Sequence, residues 1–202
     1  MDIYNINKFP IVIIANSRTG STALANKIAK IYNITNFSDG AYIEPHKHKR
    51  HVKQLWKDFV LHNNKKIVVK MIAYQIGQAY MYEQILNADS FKIKLLRRNK
   101  VDEITSAYIA KERGLYHQKK DDVIDNSDIP INEERIALAI DRVMKVEKII
   151  DELDYVFDLE LYYEDLTFDD YDISDVKSTV PKNINDIKEA VRNMLQIGNN
   201  NV

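Results

Sequence analysis

The sequence predicts an α/β fold in three layers, a mainly parallel sheet flanked by helices on both faces. Three observations lead there. A β-branched apolar run at Ile11–Ile14 has the composition of a buried strand, and the stretches Lys66–Ala73 and Phe91–Leu96 also read as strands. Stretches between and after them carry apolar residues at helical spacing. Strands alternating with helices imply parallel pairing through crossover connections. In such sheets, ligands bind beyond the carboxyl ends of the strands.

In chain order, the first strand is expected over about Phe9–Ala15 and the first helix over Gly20–Tyr32, with Ala23, Leu24, Ile28 and Ala29 available to pack. Asn33–Pro45 reads as loop, with Asp39-Gly40 as a turn signal. Lys47–His62 places Val52, Leu55, Trp56, Phe59 and Val60 on one helical face. The second strand follows at Lys66–Ala73, then a helix over Ile76–Leu86 and the third strand at Phe91–Leu96. Val101–Arg113 reads as a helix with Ile104, Ala107, Tyr108 and Ala110 inward. Gly114–Pro130 is polar and irregular, the kind of stretch that serves as a lid over an acceptor. A long helix over Ile131–Leu153 buries Ile136, Ile140, Val143, Val146 and Ile150. A fourth strand at Tyr155–Tyr162, a last helix at Asn183–Ile197 and a disordered tail from Gly198 complete the expectation.

The 202 residues suit one domain, 1–202, with a sizeable core. The chain has no cysteine, so thiolate metal sites and disulfides are excluded. No N-terminal leader is visible and no apolar run approaches the roughly 20 residues of a membrane span, so a cytoplasmic protein without a membrane span is expected. The net charge of −1 conceals an asymmetry. Residues 1–120 hold 21 basic against 9 acidic side chains, net +12, and residues 121–202 hold 8 against 21, net −13. The basic part suits an anionic ligand; the alternative is that the two parts attract each other across the fold. The basic residues are spread over several elements and form no single tract, which argues against nucleic acid.

The stretch Ile11–Asn26 carries the main functional signal. A strand runs into the small polar turn Asn16–Gly20 and then into a helix, a geometry that gathers backbone N–H groups and the positive end of the helix dipole around an anion. A triphosphate-binding Walker loop would need Lys directly after its second Gly. Here Gly20 is followed by Ser21 and Thr22, Ala15 stands where the first Gly would be, and the cation is Arg18. The run Ser17-Arg18-Thr19-Gly20-Ser21-Thr22 resembles the 5′-phosphosulfate loop of sulfotransferases that use 3′-phosphoadenosine 5′-phosphosulfate (PAPS).

Two later stretches are similar to the same family. Arg98, at a strand exit, is followed eight residues on by Ser106, a spacing similar to the family's 3′-phosphate motif; Arg97 is the alternative ligand. Many members follow this Arg with Asp-Pro or Asn-Pro, and here Asn99 fits while Lys100 replaces the Pro. Tyr163-Glu164-Asp165-Leu166 resembles a late strand-closing sequence, with a structural role. The resemblance runs from residue 11 to 166 and implies a P-loop NTPase-like sulfotransferase fold with PAPS as co-substrate and no metal.

It also implies roles. Arg18 would face the developing charge on the leaving oxygen. Ser17, Thr19, Gly20, Ser21 and Thr22 would hold the 5′-phosphate, and Arg98 and Ser106 the 3′-phosphate. The acceptor, a small molecule or carbohydrate presenting a hydroxyl or amine, must lose a proton. Glu44, in Tyr42-Ile43-Glu44-Pro45, resembles the family's acidic active-site segment and is the candidate base; His46, His48, His51 and His117 are the alternatives. His46-x-His48-x-x-His51 also has the look of a metal site, but neither Cys nor a close carboxylate pair accompanies it. Lys182, near Pro181 before the last helix, is a further possible phosphate contact. The rival functions are a nucleotide or small-molecule kinase with a degenerate loop, and a non-catalytic nucleotide-binding module.

Overall fold

The structure, a computed structural model, describes residues 2–36, 67–73, 87, 89–114, 125–166 and 180–199. Among the described residues, five strands form one sheet: β1 (Ile11–Ala15), β2 (Thr35–Asn36), β3 (Ile67–Ile72), β4 (Phe91–Leu96) and β5 (Leu159–Tyr162). Their order is β2-β3-β1-β4-β5 and every pairing is parallel. Four α-helices are described: α1 (Ser21–Tyr32), α2 (Lys100–Glu112), α3 (Glu133–Asp151) and α4 (Ile184–Asn199). The chain falls into two compact units, Met1–Leu96 with Val146–Leu166, and Arg97–Lys145 with Thr167–Val202.

The first unit contains the three layers. β1 lies between β3 and β4, with Ala15 level with Ile72 on one side and Leu95 on the other. All five of its residues are buried, as an apolar run covered on both faces requires. Alternate side chains go to opposite faces. Ile11, Ile13 and Ala15 pack with Val68, Phe91, Ile93 and Leu95 against Leu24, Ala25 and Ile28 of α1. Val12 and Ile14 pack with Ile67, Val69 and Met71 against Val146 and Ile150, in the last turns of α3. The expected three-layer α/β class is therefore present: helix, parallel sheet, helix.

The elements differ from expectation mainly in length. β2, within the expected Asn33–Pro45 loop, is a two-residue edge strand, pinned where the Asn36 side-chain amide donates to the Asn26 side-chain oxygen. β5 covers only the second half of the expected Tyr155–Tyr162 strand, because Tyr155 and Phe157 pack beneath the sheet instead of joining it. Asn33, at φ 50°, ends α1 in the left-handed conformation that asparagine tolerates. α4 runs through Gly198 to Asn199, beyond the expected end at Ile197. The helices expected over Lys47–His62 and Ile76–Leu86 lie outside the described residues.

In the second unit, α2, α3 and α4 surround Ile104, Tyr108, Ile136, Val143, Ile187 and Val191. Ile140, expected inward on α3, is half-buried against this core. Tyr108 organises the start of α3. Its hydroxyl donates to the Pro130 carbonyl at 2.5 Å and accepts from the Asn132 N–H at 3.2 Å, and Asn132 in turn caps α3 by accepting from the Arg135 N–H at 3.0 Å. Burial raises the Tyr108 pKa above the ordinary phenol value, so the hydroxyl stays a donor at neutral pH. Tyr108→Phe keeps the ring and strands both partners. The expected loss is about 1–3 kcal/mol of unfolding free energy, measured from urea denaturation midpoints.

Candidate functional site

The turn after β1 is built by its own side chains. Asn16 is 3 % exposed. Its side-chain oxygen accepts from the Ser17 N–H at 2.7 Å, and its carbonyl accepts from the hydroxyl of the buried Thr19 at 2.8 Å. These bonds hold the turn from within. Arg18 sits at its tip with φ 67°, a left-handed conformation that disfavours any residue with a Cβ, and it is exposed. Gly20, at φ 74°, makes the second left-handed step at low steric cost and stands at the N-cap of α1.

The N-cap residue of α1, Gly20, supplies no side-chain cap, and no acidic residue occupies the first turn of the helix. The first intrahelical bond runs from the Leu24 N–H to the Gly20 carbonyl at 3.0 Å. The amides of Gly20 to Ala23 precede it and have no acceptor within the helix. Ser21 is buried and Thr22 half-buried at this opening.

The structure adds a cation that the sequence reading missed. Lys70, on β3, is 7 % exposed, and its Nζ donates to Thr22 Oγ1 at 2.7 Å. The signal available in the sequence was the lone Lys inside Ile-Val-Val-Lys-Met-Ile, since a lysine in a strand covered on both faces is rarely buried without a partner. Thr22, Lys70 and the first-turn amides thus meet at the carboxyl end of β1, with Arg18 at the tip of the same turn.

Arg98 and Ser106 belong to the second unit. β4 ends at Leu96, and Arg97 and Arg98 lead into α2. Arg97 has a side chain 15 % exposed and approaches Asp102 at 4.0 Å, whereas Arg98 is exposed. Asp102 also pairs with Lys188 at 2.7 Å. Asn99 is the N-cap of α2, accepting from the Asp102 N–H at 3.1 Å. Lys100 takes the first helical position, a place where Pro is also tolerated because its N–H would have no acceptor within the helix. Ser106 is half-buried on α2. Lys182, whose N–H donates to the Asn126 carbonyl at 3.2 Å, lies in this same unit.

Tyr163–Asp165 forms a 3-10 turn directly after β5, and Leu166 packs on the sheet core, the strand-closing role expected of that sequence. Glu44, His46, His48, His51 and His117 lie outside the described residues. Among the described residues no three His, Cys, Asp or Glu side chains gather as a metal-ligand set, and no helix is long and apolar enough to cross a membrane.

No protein-family model and no curated protein matches this chain. Among solved structures, it is similar to an uncharacterized protein from Eubacterium ventriosum, at 13 % sequence identity and a TM-score of 0.40, over 92 % of this chain and 97 % of that one.

Proposed function

We propose that this chain is a PAPS-dependent sulfotransferase, moving a sulfuryl group to a hydroxyl or amine of a small-molecule or carbohydrate acceptor and releasing adenosine 3′,5′-bisphosphate. The observation that carries the reading is the turn Asn16–Thr22: an open helix start after the central strand, with no Walker Lys, an arginine at its tip and Lys70 beneath it. That arrangement suits a phosphate group whose neighbouring oxygen gains charge. The P-loop-like part of the fold assignment belongs to this proposal, supported by the position of the loop after β1, the middle strand of the order β2-β3-β1-β4-β5.

In the reaction, the S–O bond to the 5′-phosphate oxygen breaks as a new S–O or S–N bond to the acceptor forms. The first-turn amides and the Ser21 and Thr22 hydroxyls hold the 5′-phosphate. Arg18 stabilises the negative charge that grows on the leaving oxygen. Arg98 and Ser106 enter through their motif spacing as ligands of the 3′-phosphate, and Glu44 as the base that takes the acceptor's proton.

The discriminating experiment is thermal stabilisation with and without magnesium. Adenosine 3′,5′-bisphosphate at a hundredfold excess over Kd is expected to stabilise the protein by about 2.7 kcal/mol, in EDTA as well as in magnesium. Stabilisation by Mg-ATP alone would instead make the chain a kinase-like protein. Sulfuryl transfer from labelled PAPS to any member of an acceptor panel excludes a module that only binds nucleotide.

A further inference from the structure

The loop departs from a metal-using phosphate site in a second way, and the departure has a physical replacement. In a Walker loop, the Ser or Thr two residues after the second Gly gives its hydroxyl to Mg²⁺. Thr22 stands two residues after Gly20, in that slot. Its Oγ1 accepts instead from Lys70 Nζ at 2.7 Å. Lys70 sits on β3, level with Ile13 of the neighbouring β1, and its side chain is carried by the sheet core. The hydroxyl is therefore already engaged by a fixed positive charge. A divalent ion bound to the same oxygen would lie beside that ammonium, and like charges at such a distance, largely shielded from water, repel strongly.

We infer that the Lys70 ammonium takes the place of Mg²⁺ in this loop, as the resident counter-ion of the bound phosphate. The inference rests on reading Asn16–Thr22 as an anion cradle, and it deepens that reading by naming the form of ligand selected. The site takes a metal-free phosphate ester and disfavours a metal-chelated polyphosphate, which would bring its own cation to an occupied position. Thr22 orients the ammonium, and Lys70 supplies charge that no free-ion concentration controls.

Calorimetric titration with adenosine 5′-monophosphate tests this, because that probe has the 5′-phosphate and does not depend on Arg98 or Ser106. Wild type is expected to bind equally well in EDTA and in magnesium. Lys70→Met keeps an unbranched apolar stem but loses the charge; in EDTA its Kd should rise about tenfold to a hundredfold, and magnesium should restore much of the loss through the released Thr22 hydroxyl. A Lys70→Met protein that binds like wild type in EDTA overturns the inference. So does a wild type that needs magnesium, or a loss in Lys70→Met that magnesium leaves unrepaired. Lys70→Gln, which loses the charge but keeps a polar end group able to pair with Thr22, provides a second arm should Lys70→Met fail to fold. It too should bind about tenfold more weakly in EDTA, and wild-type binding in EDTA contradicts the role given to Lys70. If the monophosphate binds but PAPS supports no transfer, the enzymatic reading falls and this one stands. If no nucleotide binds wild type, both fall.

Discussion

Arg18→Ala is expected to lower kcat for sulfuryl transfer by about 10²- to 10³-fold, the range seen when a single preorganised charge-stabilising donor is removed from a transition state. The binding of adenosine 3′,5′-bisphosphate should change little. The reason lies in where Arg18 is placed. The groups suited to hold the phosphate itself are the amides of the first α1 turn, the Ser21 and Thr22 hydroxyls and Lys70, none of which depends on the Arg18 side chain. The turn is held from within by the bond of the Ser17 N–H to the Asn16 side chain and that of the Thr19 hydroxyl to the Asn16 carbonyl, and both remain when the Arg18 side chain is cut back to Ala. In the proposed reaction the guanidinium would act where charge develops during transfer, so its loss should appear in kcat more than in ground-state affinity. Single-turnover transfer rates measured beside the bisphosphate Kd separate the two. Turnover near wild type refutes the role of Arg18, and a loss confined to binding moves it from transition state to ground state.

The largest stability effect is expected at Phe91. Its ring is 1 % exposed and belongs to the core between the sheet and α1, with Ile11, Ile13, Leu24 and Ile28. Its backbone is fixed twice, level with Ile11 in the β1–β4 ladder and through its N–H, which donates to the Pro10 carbonyl at 2.9 Å. Neighbours held in a five-stranded sheet have little freedom to close over a cavity. Phe91→Ala should then cost about 3–5 kcal/mol, a large share of the roughly 5–15 kcal/mol that stabilises a typical protein. For a chain of this size that corresponds to a melting temperature lower by about 6–20 °C. Urea denaturation followed by circular dichroism measures it, and a loss under about 1 kcal/mol would contradict the packing described.

The fold was legible where burial and periodicity agree. β1 and β3 are buried along almost their whole length and β4 alternates buried Phe91, Ile93 and Leu95 with half-buried neighbours, and these patterns announce them. β2 was not legible, because two residues establish no period and its place depends on pairing with Ile67 and Val68. β5 was overextended because Tyr155 and Phe157 have strand-like composition, yet they are used to cover the lower face of the sheet. At the end of α4, Gly198 looked like a stop. A glycine weakens a helix but ends it only where the chain turns, and here it does not.

The candidate site divides in the same way. The turn is local, so its residues and their order carried the information: Asn16, Arg18 and Gly20 could be read within one short stretch. Lys70 reaches that turn across 48 positions of sequence, and only the sheet order brings β3 beside β1. Its partner, Thr22, was assigned to the phosphate without any sign that a buried ammonium already donated to it. The spacing of Arg98 and Ser106 was readable, but it could not tell Arg97 from Arg98 by environment. The structure separates them by exposure, Arg97 largely covered near Asp102 and Arg98 at the surface.

The backbone of Arg18 has a consequence for how this chain would respond to selection. At φ 67° a side chain with a Cβ carries a penalty of about 1–2 kcal/mol that glycine does not. A library screened only for heat resistance is therefore pulled toward Arg18→Gly, and a library screened for turnover is pulled back. One position sets endurance against activity, and a thermostabilised descendant of this protein should be sequenced at residue 18 before its loss of function is traced anywhere else.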